Sequence, residues 1–195
     1  MPDFNKEKGK IVVSLREFTL LKKSDSIIDR FSEPYIISLA VDENGFGSDH
    51  RLDFNYLPFP NVMKNEKINI EGEGHIIYGP KNPGEFVAYS VLFVESDKDN
   101  RDFGKDLEKV AQSRFAESLV GLAGSMANPG FGVAAKLLFE LTGVISGLLK
   151  NNKDDELFRL EGTLLRDWSN PYNIGESFKN ANHFVNCKID ILGLT

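Results

Sequence analysis

Carboxylate side chains cluster directly after the most apolar stretch of the sequence. Residues 86–94 are almost entirely apolar, and Glu95, Asp97, Asp99 and Asp102 follow them. At a separation of about 5 Å and an effective dielectric near 20, each like-charged pair costs roughly 3 kcal/mol. A hard cation such as Ca²⁺ offsets this repulsion, because it prefers several oxygen ligands on a flexible loop. The spacing is therefore consistent with a cation-binding loop.

A second interpretation of the same loop remains open. Lys98 and Arg101 lie among the carboxylates. They can neutralise part of the negative charge in a solvated turn, because exposed ion pairs form without a bound metal. The charge pattern alone leaves a cation site and a self-neutralised turn as alternatives.

The sequence contains no motif that positions a nucleophile or a general base. It has no Gly-x-Ser-x-Gly turn, which serine hydrolases of the α/β type use. His50, His75 and His183 lie in separate segments without zinc-site spacing, which indicates single surface or edge histidines. Cys187, the only cysteine, is predicted to be a small core residue on the apolar face of a strand. We therefore expect a protein that is not an enzyme.

Charge and hydropathy limit the classes of binding partner and the cellular locations that are expected for the protein. The chain has 195 residues and a net charge of −6, which argues against nucleic acid as a partner because phosphate binding needs a basic surface. Its first residues are polar and lack the apolar core of a signal peptide. No stretch reaches the roughly 18 uncharged apolar residues of a spanning helix. We expect a cytoplasmic protein, with peripheral membrane binding left open.

Alternating apolar residues predict short strands on both sides of the acidic loop. The predicted strands are residues 11–21, 35–41, 52–56, 68–70, 75–78, 86–94, 158–164 and 185–191. Strand 86–94 is apolar at both alternating sets of positions, which predicts a central strand covered on both faces. Turn signals such as Asp42–Gly45 lie between several of the strands. This pattern indicates an antiparallel β-sandwich.

The apolar period changes to that of a helix after Gly104. Two helical stretches, broken at residues 128–130 by Asn-Pro-Gly, predict an α-helical hairpin over residues 105–150. We therefore predict a single, mainly β domain, with the sandwich formed by residues 9–104 and 156–193 and the hairpin inserted between them.

The hairpin has two interpretations. It is poor in charge and contains small residues on both helices, which permits close backbone approach; the small residues are Gly121, Gly124, Gly143 and Gly147. One interpretation is a hairpin packed on the sandwich through its large apolar side chains. The other is an element that swings out toward lipid or a partner when the acidic loop is occupied.

Three segments combine acidic residues with proline or aromatic residues, namely residues 32–39, 59–66 and 94–104. Together these segments resemble the C2 domain, the β-sandwich that many proteins use for calcium-dependent lipid binding. Residues 32–39 resemble the acidic-Pro-Tyr strand entry of that family. Residues 59–66 resemble its Asn-Pro-x-Trp-Asn-Glu segment but lack the tryptophan. Residues 94–104 resemble its second acidic loop, which ends in Asp-Phe-x-Gly or similar. The likeness extends over roughly residues 9–104.

The resemblance implies a set of calcium ligands, because the two acidic loops of a C2 domain meet at one end of the sandwich and share calcium ions. Carried across by position, the ligands are Asp25, Glu33, Asp97, Asp99 and Asp102, with Asp29 or Glu95 as substitutes. The sequence departs from the family in several ways. Glu33 stands in place of an aspartate, the first loop is longer, the second is shorter, and the helical hairpin is foreign to the usual fold.

Two functions follow as expectations. The resemblance implies a non-enzymatic module that binds a phospholipid membrane surface with the help of Ca²⁺, with an affinity for the ion of roughly 10⁻⁴–10⁻³ M. The alternative is a metal-independent structural or protein-interaction protein, whose apolar hairpin contacts a partner or another copy of the chain as a homo-oligomer. A hydrolase that uses the acidic cluster has the least support, because no motif positions a nucleophile or base.

Overall fold

The protein folds into strands with two long helices between them. The structure is a computed structural model that describes residues 4–22, 31–47, 49, 51–96, 103–123 and 130–194. The strands of these residues are β1 (Lys10–Leu20), β2 (Phe31–Ser32), β3 (Pro34–Asp42), β4 (Asp53–Pro58), β5 (Val62–Met63), β6 (Lys67–Asn69), β7 (His75–Lys81), β8 (Phe86–Glu95), β9 (Asp155–Leu165), β10 (Ser177–Ala181) and β11 (Val185–Leu194). The helices are α1 (Glu43–Gly47), α2 (Phe103–Ala123) and α3 (Phe131–Asn151), and a 3₁₀ turn covers Pro171–Asn173.

The strands form two main antiparallel sheets. The first has the order β10-β11-β1-β6, and β7 also pairs with β1. The second has the order β4-β3-β8-β9. A short ladder joins β2 to β5. The prediction of a mainly β fold built from antiparallel strands is confirmed at this level.

The two main sheets share one apolar core. Ile11, Val13 and Leu15 of β1 and Val91 and Phe93 of β8 belong to it, and all five are buried. These residues alternate along their strands, because successive side chains of a strand point to opposite faces. Burial of this apolar surface is the main favourable term for folding.

A second apolar core lies on the other face of the four-stranded sheet. Ile37 of β3 and Leu92 of β8 contribute to it, together with Leu138 and Ile145 of α3. Every residue of β8 is consequently buried, which confirms that strand 86–94 is covered on both faces.

The two helices connect neighbouring strands of one sheet. They follow β8 and precede β9, and β8 pairs with β9 from Phe86 to Glu95. α2 and α3 contact each other, and α3 also contacts β8 and β9. Among the described helices, only α3 is long and apolar enough in composition to cross a membrane, and 44% of its apolar window is buried. The described residues of α2 and α3 pack on the sheet through the second core, as the first of the two interpretations of the hairpin expects.

Three local features differ from the sequence predictions. The turn predicted at Asp42–Gly45 leads into the short helix α1, because Asp42 Oδ1 accepts a 2.6 Å hydrogen bond from the Gly45 N–H and so caps the first turn. Tyr172 falls between the predicted strands 158–164 and 185–191, yet it is buried, and its hydroxyl donates to the Gly84 carbonyl. β10 was not predicted, since its residues are mostly polar and exposed.

Cys187 lies where the sequence predicts. It is a buried residue of β11 in the shared core, opposite Phe18 of β1. Burial raises the pKa of its thiol to about 12, so the thiol stays protonated at neutral pH. The prediction of a small core residue is confirmed.

Candidate functional site

Three strand ends meet at one end of the four-stranded sheet, which we call the acidic end. Pro34, the first residue of β3, pairs with Glu95, the last residue of β8. The Ser96 N–H donates to the Glu33 carbonyl at 3.4 Å. Asp155, the first residue of β9, also pairs with Glu95. The described residues next to the two acidic segments of the sequence, Glu33 and Ser96, are therefore neighbours.

Most of the predicted calcium ligands lie in the acidic segments themselves, which the structure does not describe. Asp25, Asp97, Asp99 and Asp102 lie outside the described residues, as does the substitute Asp29. Their convergence on a calcium ion therefore stays a prediction.

The two predicted residues that the structure describes differ in exposure. The side chain of Glu33 is exposed, whereas that of Glu95 is buried. Within the described part of the chain, no group of three or more His, Cys, Asp or Glu side chains is arranged to hold a metal ion. A complete ligand set thus requires carboxylates other than those described at this end.

A buried aspartate that the sequence analysis missed lies at the acidic end. Asp154 accepts a 2.9 Å hydrogen bond from the Tyr35 hydroxyl and a 3.0 Å hydrogen bond from Asn152 Nδ2. Burial, followed by the charge of Asp154, raises the pKa of Tyr35. The segment Lys150–Asp155 looks like a solvent-exposed turn in the sequence, yet Asp154 connects the chain after α3 to β3.

A second polar cluster joins α3 to β9. Glu156 accepts hydrogen bonds from Arg159 Nε at 3.0 Å and from the Arg159 terminal nitrogen at 2.7 Å. The Ser146 hydroxyl of α3 also donates to Glu156. Burial alone would raise the pKa of Glu156, but the hydrogen bonds from Arg159 and Ser146 outweigh burial and lower it. Glu156 therefore stays ionised while it connects the helix to the sheet.

A third polar cluster surrounds Asp42 at the opposite end of β3. The buried carboxylate accepts a 2.7 Å hydrogen bond from the Tyr78 hydroxyl and lies 3.1 Å from Lys81 Nζ. Lys81 Nζ also lies 3.0 Å from Asp53 Oδ2. Burial tends to lower the pKa of Lys81, but Asp42 and Asp53 outweigh that effect and raise it. The cluster joins β3 and β4 of one sheet to β7 of the other.

A serine and a histidine form a hydrogen bond between the two sheets. Ser38 Oγ of β3 lies 2.9 Å from His75 Nε2 of β7. Burial lowers the pKa of His75 to about 4, so the imidazole is neutral at neutral pH. Serine and histidine serve as nucleophile and base in many hydrolases. Here Ser38 is 0% exposed and His75 only 7% exposed, so a substrate cannot reach them. His75 lies on an edge strand as expected, yet its side chain is buried.

A cleft of about 360 Å³ opens beside these buried clusters, between β4, β7 and the first half of α2. We call it the lateral cleft. Polar residues at or just before β4 and on α2 line it, namely Arg51, Asp53, Asn55, Glu108 and Gln112. Sequence analysis missed it, because its residues come from three segments that only the tertiary fold brings together.

Comparisons with known proteins give little further information. No known protein family matches the sequence, and no curated protein matches it. Among solved structures, the chain is similar to human GIVD cytosolic phospholipase A2 in complex with methyl gamma-linolenyl fluorophosphonate, with a TM-score of 0.38 and 9% sequence identity. The alignment covers 96% of this chain and 17% of the phospholipase chain. At this TM-score the likeness carries no conclusion about fold or function.

Proposed function

We propose that the chain is a non-enzymatic, C2-like β-sandwich that binds phospholipid membranes through Ca²⁺ at its acidic end. The observation that carries the proposal is the contact between the Ser96 N–H and the Glu33 carbonyl at 3.4 Å. This contact brings the flanks of the two acidic segments together, because β3 begins where its antiparallel neighbour β8 ends. The ligands in this proposal are those that the C2 resemblance implies: Asp25, Glu33, Asp97, Asp99 and Asp102.

Charge explains why the membrane contact needs the ion. A chain with a net charge of −6 is repelled by anionic lipid head groups. Bound Ca²⁺ cancels negative charge at the acidic end and offers its remaining coordination positions to phosphate oxygens, which are hard ligands. The calcium affinity in the absence of lipid is weak, roughly 10⁻⁴–10⁻³ M.

An exposed apolar side chain next to the acidic end supports a membrane contact at this end of the protein. Met63 of β5 is 38% exposed, and it pairs with Phe31 of β2, two residues before Glu33. A flexible thioether at this position suits shallow contact with the boundary between head groups and acyl chains.

The test is co-sedimentation with vesicles of phosphatidylcholine and phosphatidylserine, in Ca²⁺ and in EDTA. We expect the wild type to sediment in Ca²⁺ only. The double variant Asp97→Asn/Asp102→Asn removes two carboxylates from the second acidic segment, so it is expected to stay in the supernatant in Ca²⁺. The control Glu73→Gln/Glu176→Gln removes two exposed carboxylates elsewhere and changes the net charge equally.

Calorimetry with Ca²⁺ in the absence of vesicles measures binding of the ion apart from binding of the lipid. Heat of binding in the wild type and in the control, lost in the Asp97/Asp102 variant, supports the proposed ligands. The proposal is wrong if Ca²⁺ produces neither heat nor a change in melting temperature and sedimentation is equal in EDTA.

A second candidate function rests on the outward face of α3. Open space surrounds Gly132, Gly143 and Gly147 on this helix, and the neighbouring Val144 is 45% exposed. Small residues along a helix let the backbone of a second helix approach closely. In this alternative, the face binds a protein partner or another copy of the chain without metal.

Light scattering after size-exclusion chromatography tests self-association of that face. The alternative predicts a concentration-dependent dimer that Gly143→Leu/Gly147→Leu disrupts and that EDTA leaves unchanged. Lys105→Ala/Lys109→Ala on α2 is the control, because both lysines are exposed on the other helix. A strict monomer at all concentrations removes the homo-oligomer from consideration.

A further inference from the structure

We infer that the lateral cleft binds a small zwitterion, a molecule with one anionic group and one ammonium group. The inference does not rest on calcium or on the acidic end, since the cleft lies between β4, β7 and α2. Its volume of about 360 Å³ falls in the range of small-molecule sites, which is roughly 300–1,000 Å³.

The cleft has walls that other contacts hold in place. Gln112 of α2 donates to the Leu52 carbonyl at 2.7 Å and accepts from the Leu52 N–H at 3.4 Å, which attaches the helix to the start of β4. Tyr78 of β7 also lines the cleft, and its hydroxyl donates a 2.7 Å hydrogen bond to the buried Asp42. These contacts hold the walls of the cleft in place, so a ligand does not have to order the backbone around it, which lowers the entropic cost of binding.

The charges of the cleft divide into a paired set and an unpaired set. Asp53 is paired with Lys81 at 3.0 Å, and Lys81 is shared with the buried Asp42 at 3.1 Å. Arg51 and Glu108 also line the cleft and have exposed side chains. Across the part of the chain that the structure describes, neither of these two side chains forms a hydrogen bond or an ion pair, with each other or with any other group. One free guanidinium and one free carboxylate thus border the same cavity.

The chemistry of the lining selects the class of ligand. A guanidinium binds carboxylate or phosphate oxygens through two parallel hydrogen bonds. A carboxylate accepts hydrogen bonds from an ammonium group. A ligand with charge of only one sign satisfies one of these groups, whereas a zwitterion satisfies both. Asn55 adds an amide donor and acceptor to the same lining.

This chemistry has two sources, a free zwitterionic metabolite and the head group of a zwitterionic lipid. The experiment uses the full chain, labelled with ¹⁵N, in EDTA, so that the proposed calcium function plays no part. The soluble probes are O-phosphoethanolamine and glycine as zwitterions, and inorganic phosphate and ethanolamine as halves that carry charge of one sign only. Vesicles that contain phosphatidylethanolamine provide the lipid arm, with phosphatidylglycerol vesicles as their comparison.

We expect saturable amide shifts for residues of β4, β7 and α2 with a zwitterion, at a concentration at least tenfold below that required for either half. Arg51→Gln and Glu108→Gln are each expected to weaken binding at least tenfold. Arg114→Gln is the matched control, since Arg114 lies on α2, outside the cleft, and pairs with Glu117. Unchanged amide spectra outside the cleft show that the variants are folded.

Two results would overturn the inference, and a third would identify the source of the ligand. No saturable shift with any soluble probe or vesicle overturns the inference. Binding of inorganic phosphate as tight as that of O-phosphoethanolamine, with no effect of Glu108→Gln, also overturns it, because the ligand is then a simple anion. Binding to phosphatidylethanolamine vesicles without binding to the soluble zwitterions assigns the head group as the source. Loss of calcium binding in separate experiments would leave all of these results unaffected.

Discussion

At the scale of single residues, three polar side chains of β3 each bind a different neighbour. Tyr35 donates to Asp154 at 2.9 Å, Ser38 bonds to His75 at 2.9 Å, and Asp42 accepts from Tyr78 at 2.7 Å. Each of these buried groups would cost about 1–3 kcal/mol if its partner were removed. A shift of β3 by one residue would break all three contacts and turn its apolar residues to the wrong face. The polar contacts therefore help to fix the register of this central strand.

His75 makes stability depend on pH. Its pKa is about 4 in the folded protein, against an ordinary value of 6.5. Between these values the unfolded chain binds more protons than the folded one, so stability falls as the pH decreases from 6.5 toward 4. The loss attributable to His75 approaches about 3 kcal/mol below pH 4. Urea unfolding of wild type and His75→Gln at pH 7 and pH 4.5 measures it as the difference between their pH dependences.

The exposed His183 provides the control for this measurement. His183→Gln is expected to keep the pH dependence of the wild type, because this side chain is exposed and lies outside the buried contact between Ser38 and His75. Equal pH dependence in all three proteins would show that the imidazole of His75 does not control acid stability.

At the scale of elements, the packing of α3 on the four-stranded sheet makes a large contribution to stability. Leu138 and Ile145 are fully buried in the core between helix and sheet. We expect Leu138→Ala to destabilise the protein by about 2–5 kcal/mol, because it removes buried apolar surface and leaves a cavity. Urea unfolding followed by circular dichroism checks the value.

Val144 on the same helix gives the matched comparison. It is largely exposed, so Val144→Ala is expected to change stability by less than about 0.5 kcal/mol. Similar small effects for Leu138→Ala and Val144→Ala would mean that α3 is not held against the sheet in solution.

The sequence predicts elements best where burial leaves a periodic pattern. Strand 86–94 could be identified as central, because it is covered by the shared core on one face and by α3 on the other. β10 could not be identified, since only Phe178 of its five residues packs on the core and its pairing with β11 comes from backbone hydrogen bonds. Backbone pairing of this kind leaves no signal in the side chains.

The candidate sites were predicted less well, for a related reason. The acidic segments could be recognised because their carboxylates are close together in the sequence. Asp154 and Asp42 could not, since each is buried by a partner that is distant in the sequence, Tyr35 for the first and Tyr78 for the second. The lateral cleft likewise depends on β4, β7 and α2 coming together.

At the scale of the whole molecule, the first and last strands complete one sheet together. β1 pairs with β11 along most of its length, from Lys10 opposite Leu194 to Leu20 opposite Val185. The shared core contains residues of both sheets, so a defect in β11 affects the contacts of the second sheet as well. If the chain forms the single domain that the sequence predicts, we expect both sheets and the helices to unfold in one cooperative step.

Ile189→Asp tests this expectation. The substitution places a carboxylate in the shared core opposite Leu15, and burial of an unpaired charge costs several kcal/mol of a total stability of about 5–15 kcal/mol. We expect the helical circular dichroism signal of α2 and α3 to be lost together with the sheet signal.

Asn186→Asp, at an exposed position of the same strand, is expected to unfold like the wild type. Retention of the helical signal in Ile189→Asp, with loss of the sheet signal alone, would divide the chain into two independently stable units.

The pairing of β1 with β11 also has a consequence for protein synthesis. The ribosome releases β1 well before β11, but most of the backbone partners of β1 lie in β11. At about 5–20 residues per second, β1 waits roughly 10 to 30 s for them. During this interval β6 and β7 are the described strands that can already pair with β1, while the edge that β11 later covers stays open.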